Sequence, residues 1–366
     1  MRLFHRAAFA ALALSGFTSS ARAVITYADL YTIPTPADYT EVRPEGSPPR
    51  AGGKTIGYAY GTATGHQSHA ALWNGSSTLI DLNPSGFTYS IASSTDGTQH
   101  VGNGYGSATG NVHHAVLWTG NTAATAINLH PTAGYTQSAA LGVGGGFQVG
   151  EAVATGANYH AVMWNGSKAV VDLHPAGYTR SAAFGVAGGK QVGYATSGNN
   201  HAMLWSGTAA SAIDLHPVSG FSATHAYDVD GGQQVGSGTV GGTFQALLWN
   251  GTNVAINLHP DSSFVRSIAL SVDDGRQVGY GFRSDFLPRA LLWDDTAASV
   301  IDLQSLLPAT YRYSYAHSIN DGVVYGLAYD TDNVPHAMTW TIPEPASLAL
   351  FACGAGLLLC RRPRSI

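Results

Sequence analysis

His114-Ala-Val-Leu-Trp118, His160-Ala-Val-Met-Trp164 and His201-Ala-Met-Leu-Trp205 are one phrase written three times. All seven tryptophans of the chain, Trp73, Trp118, Trp164, Trp205, Trp249, Trp293 and Trp340, fall in this phrase or a variant of it. Their spacings are 45, 46, 41, 44, 44 and 47 residues. A repeat of that length, with several short strands inside it, is the size of one blade of a β-propeller.

Residues 178–215 show the unit. Ser181–Val186 is a strand of mostly small residues, and Gly188-Gly189 turns the chain into Gln191–Ala195. A polar loop leads to His201–Trp205, Ser206-Gly207 turns again, Ala212–Leu215 follows, and His216-Pro217 closes the unit. The turns are the strongest local signal. Asn74-Gly75, Asn165-Gly166 and Asn250-Gly251 each follow a tryptophan directly. Asn-Gly accepts the positive φ angles that a tight type I′ hairpin demands. The first reversal of the unit is Asp96-Gly97, Gly145-Gly146, Gly188-Gly189, Gly231-Gly232, Asp274-Gly275 or Asp321-Gly322. Two hairpins make four antiparallel strands. The Ser-Ala-Ala strands at 138–143 and 181–186 carry the smallest side chains. Crowding is worst at a propeller axis, so this strand is expected innermost and the Ile-Asp-Leu strand outermost.

Counting closes the ring. The tryptophan strand and the outer strand each occur seven times. The first outer copy, Tyr27-Ala28-Asp29-Leu30, stands alone at the N-terminus, and the last tryptophan strand, His336–Trp340, has no outer strand after it. The expected fold is therefore all-β: a seven-bladed β-propeller of four-stranded antiparallel blades, closed by the N-terminal strand completing the last blade. Such closure removes an open sheet edge. The first blade is expected to be irregular, because Pro44, Pro48 and Pro49 interrupt its inner strand. A β-solenoid is the rival architecture.

The two ends read differently. Residues 1–23 have Arg2 and Arg6, an apolar stretch Ala7–Phe17, and Ala21-Arg22-Ala23. That is the pattern of a secretory signal peptide cleaved by signal peptidase between Ala23 and Val24. Residues 24–341 form the repeat domain. Residues 342–366 hold Pro343-Glu344-Pro345, an apolar run Ala346–Cys360, and the basic residues Arg361, Arg362 and Arg364. As a helix the run covers about 22 Å, short of a hydrocarbon core of about 30 Å. This tail resembles the PEP-CTERM sorting signal of Gram-negative bacteria. The resemblance implies processing near the Pro-Glu-Pro motif by an exosortase, in bacteria that make exopolysaccharide, and contact with the membrane only through the C-terminal segment. An ordinary tail anchor is the plainer reading.

Both cysteines, Cys353 and Cys360, lie in that tail, so no disulfide holds the exported body. Between Val24 and Ile342 stand 8 arginines, 3 lysines and 21 acidic residues, a net of −10. A surface so poor in cations argues against nucleic acid and against an anionic membrane face. The repeat also resembles the HAF family of extracellular repeats, although an aliphatic residue replaces the third letter of that name. The resemblance covers most of residues 54–340 and implies no transferable activity.

Candidate chemistry is sparse. No phosphate loop, dinucleotide fingerprint, nucleophile elbow or zinc helix motif occurs, and no cofactor or metal is expected. Nine of the 15 histidines recur in register: His130, His174, His216 and His259 in the His-Pro loop, and His69, His114, His160, His201 and His336 at the head of the tryptophan strand. Residues spaced around a ring do not converge on one ion, so these are expected to bond loop carbonyls. The outer-strand Asp81, Asp172, Asp214 and Asp302 alternate with Asn128 and Asn257, which marks a hydrogen-bond acceptor holding the adjacent turn. Arg283, Asp285 and Arg289 form the nearest approach to a unique charged cluster. The loop face remains. It carries the four His-Pro histidines and, four or five residues later, Phe87, Tyr135, Tyr178, Phe221 and Phe264. Aromatic faces beside polar groups suit sugar rings; the plainer role is wedging between blades. His130, His174, His216, His259, Tyr135 and Tyr178 are the ligand-binding candidates, with no catalytic residue among them. The functional expectation is an exported, non-catalytic binding or scaffolding module with exopolysaccharide as candidate ligand. The alternatives are a propeller lyase or hydrolase acting on glycans and a purely structural matrix protein.

Overall fold

In the computed structural model, which describes residues 24–44, 53–156 and 158–343, the repeats fold into seven four-stranded antiparallel sheets. Contacts gather Thr26–Ile342 into one unit. Blade 4 is typical: Arg180–Ala187, Lys190–Ser197, Asn199–Trp205 and the short outer Ile213–Asp214. Blade 7 takes its inner three strands, Tyr311–Asn320, Val323–Asp330 and Pro335–Thr341, from the C-terminal part of the repeat region. Its fourth is Thr26–Thr32, paired antiparallel with Thr26 opposite Thr341 and Thr32 opposite His336. The ring is closed as the strand count requires.

The first blade is more regular than its prolines suggest. Tyr39–Pro44 forms its inner strand and pairs with Lys54–Gly61. The strand is complete before Pro48, so Pro44 ends it without removing a central ladder donor. Pro48 and Pro49 lie outside the described residues, as do the signal peptide and the tail beyond Pro343. Among the described residues no helix is long and apolar enough to cross a membrane.

The core lies between the blades. All seven tryptophans are essentially free of solvent. Each of five, Trp118, Trp164, Trp205, Trp249 and Trp293, packs with the leucine ending the previous blade's outer strand: Leu82, Leu129, Leu173, Leu215 and Leu258. Trp118 Nε1 also donates to the Leu82 carbonyl at 2.8 Å. Burying an indole on each seam supplies the apolar contact that a cysteine-free body needs.

Two backbone devices shape the blades. The first reversals in blades 3 to 7 place both central residues at positive φ, for example Gly188 at 54° and Gly189 at 75°, as a type I′ turn requires. Opposite them the inner strand bulges. Its register with the second strand slips at Ser93, Leu141, Phe184, Tyr227, Leu270 and His317 in blades 2 to 7, and blades 3, 6 and 7 slip a second time near the strand's start, at Thr136, Val265 and Arg312. The Val-Gly step of the second strand faces this bulge. A Cβ on Gly193 would lie 2.0 Å from the Ala182 carbonyl oxygen, so only glycine fits there.

Candidate functional site

Two layers of polar chemistry emerge, one uniform around the ring and one varied.

The uniform layer is a clasp between neighbouring blades. The outer-strand Asp or Asn accepts the N–H two residues on: His174 to Asp172 at 2.8 Å, His216 to Asp214 at 2.8 Å, His130 to Asn128 at 2.9 Å. The same side chains meet the histidine heading the tryptophan strand, as in His160 with Asp172 at 2.8 Å and His201 with Asp214 at 2.7 Å. Where asparagine stands, its amide donates instead, Asn128 to His114 Nδ1 at 2.9 Å and Asn257 to Gln245 at 2.8 Å. In blade 6 Arg289 takes the histidine's place, and it and Arg283 hold Asp302 at 3.4 and 3.1 Å. Asp285 accepts the Leu287 N–H. The unique charged trio is thus largely a variant of the same clasp.

The loop histidines sit one step further in. His130, His174 and His259 meet Ser138, Ser181 and Ser267 through Nδ1 at 2.8–2.9 Å, and His216 meets Thr224 at 2.9 Å. Each hydroxyl oxygen in turn accepts an N–H from the previous blade's tryptophan strand: Ala115, Ala161, Ala246 and Ala202. His174 Nε2 donates to the Tyr178 carbonyl at 3.0 Å. That fixes Nδ1 as the acceptor from the Ser181 hydroxyl. Burial holds His130, His174, His216 and His259 below the usual histidine pKa, which favours the neutral ring this relay needs. Three of the loop rings also stack on the strand histidine, His130 on His114 at 3.9 Å, His174 on His160 at 4.0 Å and His216 on His201 at 4.2 Å. The partners therefore include hydroxyls and carboxylates as well as the carbonyls expected from sequence. Among the described residues no three His, Cys, Asp or Glu side chains gather as metal ligands.

The loop aromatics lie against the seams. Tyr135, Tyr178 and Phe221 border the inter-blade cores, and Phe264 is buried within one. Tyr135 and Tyr178 donate from their hydroxyls to Asp172 and Asp214, at 3.2 and 2.9 Å. Burial, then the neighbouring carboxylate, pushes both phenols up to about 12. Tyr39 and Tyr311 are the equivalents in blades 1 and 7. Each closes a turn from a proline three residues earlier, Tyr39 N–H to Pro36 and Tyr311 N–H to Pro308, as Phe87 does to Pro84. Sequence reasoning missed these two, although the Pro-x-x-aromatic spacing marks them.

The varied layer is the axis. The Ser-Ala-Ala strand is innermost, as the sequence suggested, but its small side chains Ser138, Ala140, Ser181 and Ala183 face the preceding blade rather than the axis. Phe184, Tyr227 and Leu270, three of the bulge residues, border a small axial cavity shared by inner strands of six blades. A bulge re-aims the side chain it carries, so the axis receives a residue that the repeat does not constrain. Around it runs an arc of rings. Arg180 stacks on Tyr159 at 4.4 Å and pairs with Glu151 at 3.2 Å. Phe184 touches Tyr194 and Tyr227, and His225 stands against Tyr194 at 5.1 Å. Tyr280 meets Tyr315 edge-on at 5.0 Å, and Tyr313 stacks on Tyr329 at 4.5 Å.

The arc ends in a cleft of about 550 Å³ between blades 7 and 1, bordered by Tyr315, His317, Tyr329, Asn333, Glu41 and Arg43. Glu41 pairs with Arg43 and accepts from the Tyr58 hydroxyl at 3.2 Å. His317 Nδ1 is shielded from solvent with no hydrogen-bond partner, and burial lowers this histidine to about 4. A shielded, unpartnered nitrogen in a cleft of ligand size, flanked by tyrosines, is a ready hydrogen-bonding point for a ligand hydroxyl. The period-two run Tyr311-Arg-Tyr-Ser-Tyr-Ala-His317 announces this wall in the sequence.

No protein-family model matches the chain, and no curated protein matches it in sequence. Solved structures do resemble it in fold. A puromycin-hydrolyzing peptidase of Mycobacterium tuberculosis is 14% identical with a TM-score of 0.52, over 84% of this chain and 54% of its own. The β-propeller domain of the Trilobed protease from Pyrococcus furiosus is 9% identical with a TM-score of 0.50, over 78% and 89%. A prolyl endopeptidase is 12% identical with a TM-score of 0.49, over 77% of this chain and 46% of its own, so this chain spans about half that protein's length. At these identities the likeness shows the propeller alone.

Proposed function

We propose that this protein is an exported, non-catalytic β-propeller that binds polysaccharide at its axis and is sorted to the cell envelope or extracellular matrix by its C-terminal signal. The observation that carries the reading is the arc of tyrosines ending in the cleft at Tyr315, His317 and Tyr329. Aromatic faces interleaved with polar side chains match the alternating apolar faces and hydroxyls of sugar rings. Binding is favoured over glycoside hydrolysis by the state of the carboxylates. Hydrolysis needs a proton-donating acid and a separate ionised carboxylate flanking the bond. Glu151 is paired with Arg180, although burial raises its pKa above the usual carboxylate range; Glu41 is paired with Arg43, and Asp228 accepts from the Ser271 hydroxyl and the Val272 N–H, so each is engaged by a partner in the protein. His130, His174, His216 and His259, first taken as ligand candidates, belong in this reading to the framework that ties the blades together. Signal peptidase and an exosortase-type enzyme are the proposed processing partners.

A glycan array with the secreted protein tests this. Retention of a polysaccharide, without product release and lost on Tyr315→Ala, supports the reading. Released oligosaccharide would make the protein an enzyme, and an array with no retained glycan would leave a structural matrix protein.

A further inference from the structure

The arginines of the body are few, and most of those near the axis or the loop face are neutralised. Arg43 holds Glu41, Arg180 holds Glu151, and Arg283 and Arg289 share Asp302. Arg266 differs. It stands on the inner strand Phe264–Asp273 of blade 6, opposite Phe282, with its guanidinium 3.8 Å over that ring. Among the described residues no carboxylate pairs with it and no hydrogen bond involves it. Ser267, the next residue, turns towards blade 5 to accept the Ala246 N–H, so strand alternation directs Arg266 the other way, to the side of Tyr280 and Tyr315. Its charge bears on both phenols, lowering each against the larger effect of burial. Tyr315 also borders the cleft between blades 7 and 1.

A guanidinium centred over an aromatic ring is held there by the ring while its N–H donors are left without partners among the described residues, Nε included, and a guanidinium can clasp an oxyanion in two places. A half-buried cation without a counter-charge is costly unless something supplies one. The protein around it carries a net charge of −10 between Val24 and Ile342, so a general attraction of polyanions is absent and any anion must be read at short range.

We infer that the axial site recognises an anionic sugar, whose carboxylate or sulfate is clasped by Arg266 beside Phe282, Tyr280 and Tyr315 while the sugar ring lies against the tyrosines. The inference rests on the polysaccharide reading and adds the charge of the ligand.

The test uses the secreted protein and four probe sets in isothermal titration: uronate oligosaccharides, their methyl esters, sulfated oligosaccharides, and polyglutamate as a sugar-free anion. The expected result is binding of an acidic oligosaccharide at least tenfold tighter than its neutral counterpart. Uronate or sulfate as the tighter ligand names the anion, and either supports the inference. Arg266→Gln should remove that preference while the neutral affinity and the melting temperature stay close to the parent's. Equal affinity for acid and ester, or an unchanged preference in Arg266→Gln, overturns the inference and leaves polysaccharide binding standing. Polyglutamate bound as tightly as the acidic sugar overturns the sugar component. Absence of binding to every probe overturns both readings. If Arg266→Gln fails to fold, the acid-to-ester comparison on the parent protein still decides.

Discussion

The loop clasp and the axis are built from the same repeat and obey opposite rules. At the clasp, most blades solve one problem in nearly one way, and six of the seven seams carry the hydroxyl tie; at the seam between blades 7 and 1 Val42 stands in its place. An Asp or Asn holds the turn, a His or its substitute holds the Asp or Asn, and a Ser or Thr hydroxyl ties the next blade to the previous one. Even the exceptions compensate, as when Asn257 meets Gln245 and Asp302 meets Arg289. At the axis the corresponding positions are Ser93, Leu141, Phe184, Tyr227, Leu270 and His317. The bulge lifts these residues out of the ladder, so the repeat leaves their identity free to vary, although Phe184 and Tyr227 still touch across blades 4 and 5. Uniformity marks what the ring needs to stand, and variety marks where one blade does something the others do not.

The comparison breaks most visibly at the ring's closure. Deleting Thr26–Thr32 removes the partner of Pro335–Thr341 and bares a sheet edge. Light scattering should show association, and the melting transition should collapse. A monomer with parental melting would mean that the strand is dispensable. Next, Trp205→Ala should cost about 3–5 kcal/mol in urea unfolding, as truncation of a buried indole does. An effect under about 1 kcal/mol would remove the indole from the framework. Gly193→Ala should cost about 3 kcal/mol, near the upper end for overpacking, because its Cβ would meet the Ala182 carbonyl. Ser181→Ala strands the buried Ala161 N–H and should cost about 1–3 kcal/mol. Tyr178→Ala, which tests wedge against sugar contact, should fall in that same range; a change under about 0.5 kcal/mol would mark a surface aromatic.

Acid should weaken both layers, by a smaller amount. Burial holds His114 and His317 at about 4 and His130, His174, His216 and His259 below the usual 6.5. The unfolded chain therefore binds more protons than the folded one between pH 6.5 and about 4, and stability must fall as pH drops through that window. His174→Gln should flatten part of the decline measured in urea between pH 7 and 4. A decline identical to the parent's would show that this ring contributes nothing.

Much of the framework was legible in the sequence because it repeats. The tryptophan period, the Gly-Gly reversals and the orphan strand at Tyr27 carry blade number, strand number and closure. The Asn-Gly steps after the tryptophans mark reversals but not the expected type I′ turns: only Gly75, Gly166 and Gly251 take positive φ, while the asparagines before them do not, and the connection to the outer strand is longer than two residues. The functional layer was harder to read for a physical reason. Strand alternation alone predicts which residues of Ser181–Val186 share a face, but the bulge at Phe184 shifts that alternation, and a bulge has no sequence mark of its own on the strand that carries it. Its mark lies on the partner strand, in the recurring glycine of Val-Gly, which is easily taken for a turn signal. The loop histidines drew notice for the opposite reason. They recur conspicuously, and recurrence around a ring reflects packing. Arg266 recurs nowhere and carries no pattern to find, while His317 is marked only by the alternating tyrosines of its own strand.

The most direct test measures melting and glycan retention together on two variants, Ser181→Ala at the clasp and Tyr315→Ala at the axis. The account predicts that Ser181→Ala melts several degrees lower and retains glycan normally per folded molecule, while Tyr315→Ala, which removes the aromatic face, loses most of its retention per folded molecule. Loss of retention in the clasp variant with full retention in the axis variant would contradict it.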